Sequence, residues 1–344
     1  MNLTPFKTFS LLLLVASFSQ LNADALVTTQ HKNTTVIDVV VKKPEVEFIS
    51  NLVYSQPKIY GYSNKPLEMD IMRPVTKELS PVVLFVPGGA FISSNKNKYL
   101  QPKLELAEAG YVVASIEYRL APTVLFPEPL MDVKSAIRFL RANAQRFGID
   151  PNRIAIMGNS AGGYLAAFAG VTNNMKEYDE GDYLDKSSAV SAVIDIYGPS
   201  DLTKIGVGYS KEEENLHYSA SAPEAIWVNG LAVNNKTAAG ILVHEERAKK
   251  ANPLNFITKN TPPFLVMVGD KDIRVSPNQS ELLHDALIEK GVDSTFYIIK
   301  GAGHGGTQWA QTEVSKILID FLDKNVKKSS SLTIEKSSTK FVEQ

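Results

Sequence analysis

The chain has 344 residues, of which 44% are hydrophobic and 21% charged, and its formal net charge is −1. This is the composition of a soluble globular protein with ample core, as one large domain or two smaller ones, and it offers no basic excess for nucleic acid or anionic membrane. The absence of cysteine excludes a cysteine nucleophile, thiolate metal sites and disulfides.

Residues 1–25 read as a secretory signal peptide, with Lys7 in a positive n-region, a short apolar core from Phe9 to Phe18 and small residues at Ala23-Asp24-Ala25. The expected mature protein is exported, with no stable insertion in the membrane. Residues 26–45 are polar and irregular and form a leader. A domain is expected over 46–326. Lys58 to Tyr62 and Leu67 to Met72 alternate apolar and polar residues, which predicts an antiparallel pair turning at 63–66. Pro81 to Val86 is an unbroken apolar run, as expected of a strand buried on both faces, and it ends in Pro87-Gly88-Gly89-Ala90.

From there helices and strands alternate: a helix near 99–109, a strand over 111–118, a helix over 128–147, a strand over 153–158 and a helix over 161–171. Strands at 189–197, 264–269 and 294–299 follow, with helices at 276–290 and 308–325. This rhythm predicts an α/β fold with a mostly parallel central sheet and helices on both faces. A polar excursion at 173–188 and an insertion at 200–262 interrupt it, and insertions on such sheets commonly build the substrate pocket. The tail 327–344 is rich in Lys, Ser and Thr and is expected to be disordered.

Gly158-Asn159-Ser160-Ala161-Gly162 joins a predicted strand to a predicted helix and has the G-x-S-x-G frame of a nucleophile elbow. A serine on so sharp a turn needs glycine neighbours, because flanking side chains would strike adjacent backbone. A serine nucleophile also needs a base and a carboxylate that orients it. Of the five histidines, only His304 follows a predicted strand directly, in the glycine-rich loop 301–305. Asp270 and Asp272 both leave the preceding strand, and spacing does not separate them. The backbone N–H of Ala161, at the start of the helix, is one expected oxyanion donor, and the loop after 81–86 supplies Gly89 and Ala90 as the others.

Together these segments resemble the esterases of the α/β-hydrolase superfamily, on the hormone-sensitive-lipase-like side, near the feruloyl and acetyl-xylan esterases. The resemblance spans roughly residues 55–325 and rests on seven segments: 86–91, 118–122, Phe126-Pro127 with Asp132, 158–163, 251–254, 269–275 and 303–305. It implies that Asp272 is the acid, and that Arg119 and Asp132 brace the oxyanion loop and the neighbouring helix. Two positions depart from the family's His-Gly-Gly-Gly: Pro87 stands for the histidine and Ala90 for the last glycine.

The expected activity is hydrolysis of short-acyl esters, acetyl esters foremost, with an acylated carbohydrate as the implied substrate and no metal or organic cofactor. Three other readings use the same scaffold. A serine peptidase of this superfamily carries a propeller or large cap, for which the chain has no room. A long-chain lipase is disfavoured by the short insertion, and an inactive binding protein by the complete Ser–Asp–His set.

Overall fold

The computed structural model describes residues 33–59, 61, 64–231 and 238–327. The expected signal peptide, the start of the leader and residues 328–344 of the tail lie outside the described residues, so their structure is not characterised. Contacts divide the chain into one unit up to Lys42 and another from Lys43 onward. In the first, residues 33–42 carry no helix or strand and are exposed. Among the described residues no helix is long and apolar enough to cross a membrane.

The second unit is built on an eight-stranded sheet. Its strands are β1 (Val46–Ser55), β2 (Leu67–Pro74), β3 (Ser80–Val86), β4 (Val112–Ile116), β5 (Ile149–Asn159), β6 (Ala192–Ile196), β7 (Phe264–Gly269) and β8 (Ser294–Ile299). Their spatial order is β1-β2-β4-β3-β5-β6-β7-β8. The pairings of β1 with β2 and of β2 with β4 are antiparallel, and all the others are parallel. The helices are α1 (Leu100–Glu108), α2 (Glu128–Ala142), α3 (Ala144–Phe147), α4 (Ala161–Val171), α5 (Lys211–His217), α6 (Pro223–Asn229), α7 (Glu245–Lys250), α8 (Pro277–Glu289) and α9 (Thr312–Leu322).

Strand β3 shows how the apolar runs become layers. Val82, Leu84 and Val86 enter a core with α2, α4 and α8, whereas Val83 and Phe85 enter the opposite core with α1 and α9. A strand buried on both faces cannot display polar alternation, so its unbroken apolar run is the expected signature.

The structure corrects the first expected hairpin. The partner of β2 is the strand 46–55, and the described residues of the expected first strand, Lys58, Ile59 and Gly61, belong to no strand. A bulge between Ile49 and Leu52 breaks the alternation of β1, with Asn51 at φ 55° and its N–H bonded to Asp70 Oδ1 at 2.8 Å. The expected helix 128–147 divides at Asn143 into α2 and α3. The expected closing helix is a 3-10 turn at Thr307–Ala310, then α9, then a π turn at Asp323–Lys327.

Parallel pairing brings the carboxyl ends of β3, β5, β6, β7 and β8 to one edge, where α/β sheets bind ligands. Val86 lies beside Gly158, and Gly158 beside Asp195. The close approach of α4 to this edge depends on Gly162, where an added Cβ would land on the carbonyl oxygen of Val86. Gly162→Ala must therefore push α4 away from β3. We expect a loss of about 1–3 kcal/mol in urea denaturation, and a loss below about 0.5 kcal/mol, the range of neutral surface changes, would contradict this packing.

Candidate active site

Ser160 stands between β5 and α4 at φ 53° and ψ −128°. For a residue with a Cβ, such a backbone costs on the order of 1–3 kcal/mol, so its surroundings must hold it. The Ser160 N–H donates to Ile196 O at 2.9 Å, and its carbonyl accepts from Tyr164 N at 3.0 Å. A Cβ on Gly158 would strike the carbonyl of Gly162, which explains the glycines on either side of the turn.

The structure brings Ser160, His304 and Asp272 together. His304 Nε2 lies 2.7 Å from Ser160 Oγ, and Nδ1 lies 2.7 Å from Asp272 Oδ2. A proton on Nδ1, donated to the carboxylate, leaves Nε2 free to accept the serine O–H. The Asp272 side chain is fully buried, and its other oxygen accepts from Arg274 N at 2.9 Å and Val275 N at 3.1 Å. Asp270, the alternative left open by spacing, instead accepts from Gly301 N at 2.6 Å and ties down the start of the histidine loop. The other described histidines lie elsewhere: His217 closes α5, His244 ends a 3-10 turn, and His284 bonds Ser294 within 2.9 Å.

Two aromatic residues absent from the sequence reading hold the imidazole. The ring of Tyr197, at the end of β6, lies 4.6 Å from that of His304. Trp309 packs edge-on against Tyr197 at 4.8 Å and donates its indole N–H to Gly303 O at 3.0 Å.

The loop after β3 lies directly against the serine, since a Cβ on Gly88 would sit 2.8 Å from Ser160 Cβ. Two further unforeseen residues fix its first half. Asn159 Oδ1 accepts from Gly88 N at 3.0 Å, and Tyr118 Oη donates to Pro87 O at 2.8 Å. Asn159 is the variable position inside the serine motif, so only its place at the strand end could have drawn notice. Beyond the glycines the chain turns sharply, and Gly89 O accepts from Ile92 N and Ser93 N. Ala90 and Phe91 take left-handed angles, φ 52° and 63°. The N–H groups of Gly89, Ala90 and Ala161 donate to no acceptor among the described residues. These free donors, with the N-terminal end of α4, can receive a negatively charged oxygen.

Arg119 and Asp132 form a buried pair, with Arg119 N and Nε donating to Asp132 at 2.8 and 2.9 Å. The guanidinium also reaches the carbonyls of Lys58 and Glu128, so it fastens the chain after β4 to the start of α2. Among the described residues the guanidinium makes no hydrogen bond to the loop after β3, whereas its neighbours Tyr118 and Ala121 do. A cleft of about 500 Å3 opens beside that loop, lined by Ile59, Asn64, Pro66, Ile92, Leu120 and Ala121 among others. Among the described residues no group of acidic or histidine side chains is arranged to hold a metal ion.

Asp195, fully buried on β6, packs under the first turn of α4 against Gly163. One oxygen accepts from Gly198 N at 2.9 Å, and the other has no partner among the described residues. Burial pushes its carboxyl up from 3.8 to about 7, with the Gly198 hydrogen bond opposing. The folded state then holds this proton more tightly than the unfolded one, so the contribution of Asp195 to stability declines as pH rises from about 4 to 7.

Comparison with known proteins adds independent observations. The BD-FAE family model matches residues 69–287. Esterase LipC of Mycobacterium tuberculosis is 35% identical over 228 residues, which are 66% of this chain and 53% of that protein. An isoprenylcysteine alpha-carbonyl methylesterase of Arabidopsis thaliana is 27% identical over 71% of this chain and 55% of its own length. The chain thus spans about half the length of these curated relatives. Among solved structures, a truncated carbohydrate esterase from gut microbiota superposes with a TM-score of 0.71 at 29% identity, covering 83% of this chain and 100% of the other. A bifunctional GH43-CE protein of Bacteroides eggerthii gives 0.69 at 29% identity, covering 80% of this chain and 35% of the other.

Asp195→Asn keeps the shape of the side chain and cannot ionise. Its stability relative to the parent should rise between pH 5 and pH 8 by on the order of 1–4 kcal/mol, at 1.36 kcal/mol per pKa unit. Urea denaturation at the two pH values measures this, and an equal difference at both would contradict the raised carboxyl.

Proposed function

The chain belongs to the BD-FAE family, an esterase family of the α/β-hydrolase fold, and on that premise we propose that it is a serine carboxylesterase for short-acyl esters. One observation carries the reading: an unbroken chain of contacts from Asp272 through His304 to Ser160, each 2.7 Å long. Serine, carboxylate and histidine follow one another in the chain order of α/β-hydrolases.

In this reading His304 Nε2 takes the proton of Ser160 as Oγ attacks the ester carbonyl carbon. The imidazolium that forms is stabilised by Asp272, whose burial and two backbone donors keep its carboxylate fixed. The carbonyl oxygen, now anionic, is held by the N–H groups of Gly89, Ala90 and Ala161. Collapse of the tetrahedral species breaks the bond to the alcohol, which leaves with the proton from His304. Water, activated by the same histidine, then releases the acid and restores the serine. No step calls on a metal or organic cofactor.

An acetyl group on a carbohydrate is the substrate we favour. The resemblance to acetyl-xylan esterases and the similarity to a protein described as a carbohydrate esterase support it, and the cleft beside the oxyanion loop offers room for the alcohol half. The signal-like segment 1–25 supports export, which would give the enzyme access to such polymers.

Ser160→Ala should lower kcat on p-nitrophenyl acetate by about 10⁴-fold or more, with an unchanged circular dichroism spectrum. Acetate release from acetylated xylo-oligosaccharides should fall in parallel. Activity within tenfold of the parent would remove Ser160 from the mechanism.

A further inference from the structure

Asn159 and Tyr118 hold only the first half of the oxyanion loop, and Pro87 has no side-chain donor to help them. In the second half, Ala90 and Phe91 occupy backbone angles that residues with a Cβ avoid. If Phe91 left the left-handed region, the peptide planes before it would turn, and with them the N–H groups of Gly89 and Ala90. Something must hold Phe91.

Its backbone contributes one bond, from Ala121 N to Phe91 O at 3.0 Å. Its ring is 2% exposed and is gripped from two sides. Tyr164, one turn after Ser160 on α4, meets it edge-on at 5.3 Å and 85°. Trp227 of α6 stacks on it at 4.8 Å and 14°.

Trp227 is itself immobilised. It is fully buried, and its indole N–H donates to Tyr164 Oη at 3.3 Å, while Tyr164 Oη donates to Ala251 O at 2.6 Å. Its backbone carbonyl accepts from Phe126 N at 3.1 Å. A single side chain from the insertion at 200–262 therefore bridges the oxyanion loop and the helix that begins at the nucleophile.

We propose that Trp227 is a positioning residue for the oxyanion hole, acting through Phe91 to keep the Gly89 and Ala90 N–H groups aimed at the reacting oxygen. The inference rests on the esterase reading above. The contact is made by α6, within the long connection from β6 to β7, so the insertion does more than wall the pocket. Because the aimed donors matter most once the oxygen carries charge, loosening the clamp should raise the barrier while leaving ground-state binding nearly intact.

The test compares Trp227→Leu with the conservative Trp227→Phe. Three quantities are read: kcat and KM for p-nitrophenyl acetate, the inhibition constant of an aryl trifluoromethyl ketone, and the melting temperature. The ketone forms a hemiketal on a serine nucleophile, and its oxyanion occupies the hole. Trp227→Leu should lower kcat at least tenfold with KM within threefold, and it should weaken the ketone by a factor matching the fall in kcat/KM. Trp227→Phe, which restores a ring on Phe91, should recover most of both. If Trp227→Leu does not fold, Phe91→Leu removes the same stack from the other side and is read in the same way. A lower melting temperature with unchanged kcat and unchanged ketone affinity would overturn the proposal and leave Trp227 as core packing. A fall in kcat without loss of ketone affinity would overturn it as well. If the parent protein neither turns over the ester nor binds the ketone, it is the esterase reading that fails.

Discussion

The close approach of α4 to the ends of β3 and β5 is the constraint on which the rest of the site depends. Gly158 and Gly162 leave no room for a Cβ between helix and sheet, and this proximity allows Ser160 to sit in a left-handed turn with its side chain at the sheet edge. The same approach aligns the free N–H of Ala161 with the serine and seats Asp195 beneath the first turn of the helix. Strain at one residue is stabilised by contacts along a whole helix, as expected where backbone distortion serves a site.

Everything else at this edge arrives by parallel pairing. Loops after β3, β5, β6, β7 and β8 reach the same rim, so residues as far apart as Gly88 and His304 meet around Ser160. The rim is held by polar contacts made in pairs. Asp270 pins the start of the histidine loop while Asp272 bonds the histidine, and Asn159 pins the loop after β3 while its neighbour Ser160 meets His304. With Pro87 and Ala90 in it, that loop is held by Tyr118, Asn159 and the aromatic stack on Phe91. In this chain the insertion takes part in that stack through Trp227.

Much of this was legible before any coordinates. The strands β3, β7 and β8 are continuous apolar or β-branched runs with clear ends, and α4 is announced by its glycines and alanines. His304 could be singled out because it alone follows a strand. The edge strand β1 was not legible, because its bulge at Asn51 breaks the period that betrays a strand and half of its residues are exposed. Asp270 and Asp272 are two residues apart on one loop, and only three-dimensional geometry assigns one to Gly301 and the other to His304. The clamp on Phe91 was hidden for a different reason. It joins rings 136 positions apart in sequence, and nothing local marks Trp227 as a partner of the loop.

The central claim is that Ser160 is a nucleophile activated by His304. It is tested most directly by reacting the protein with a fluorophosphonate and locating the adduct by peptide mass spectrometry, alongside His304→Ala. The account predicts a single adduct on Ser160 and a labelling rate that falls by about 100-fold or more when the general base is removed. An adduct on another residue, or equal labelling rates in the two proteins, would contradict it.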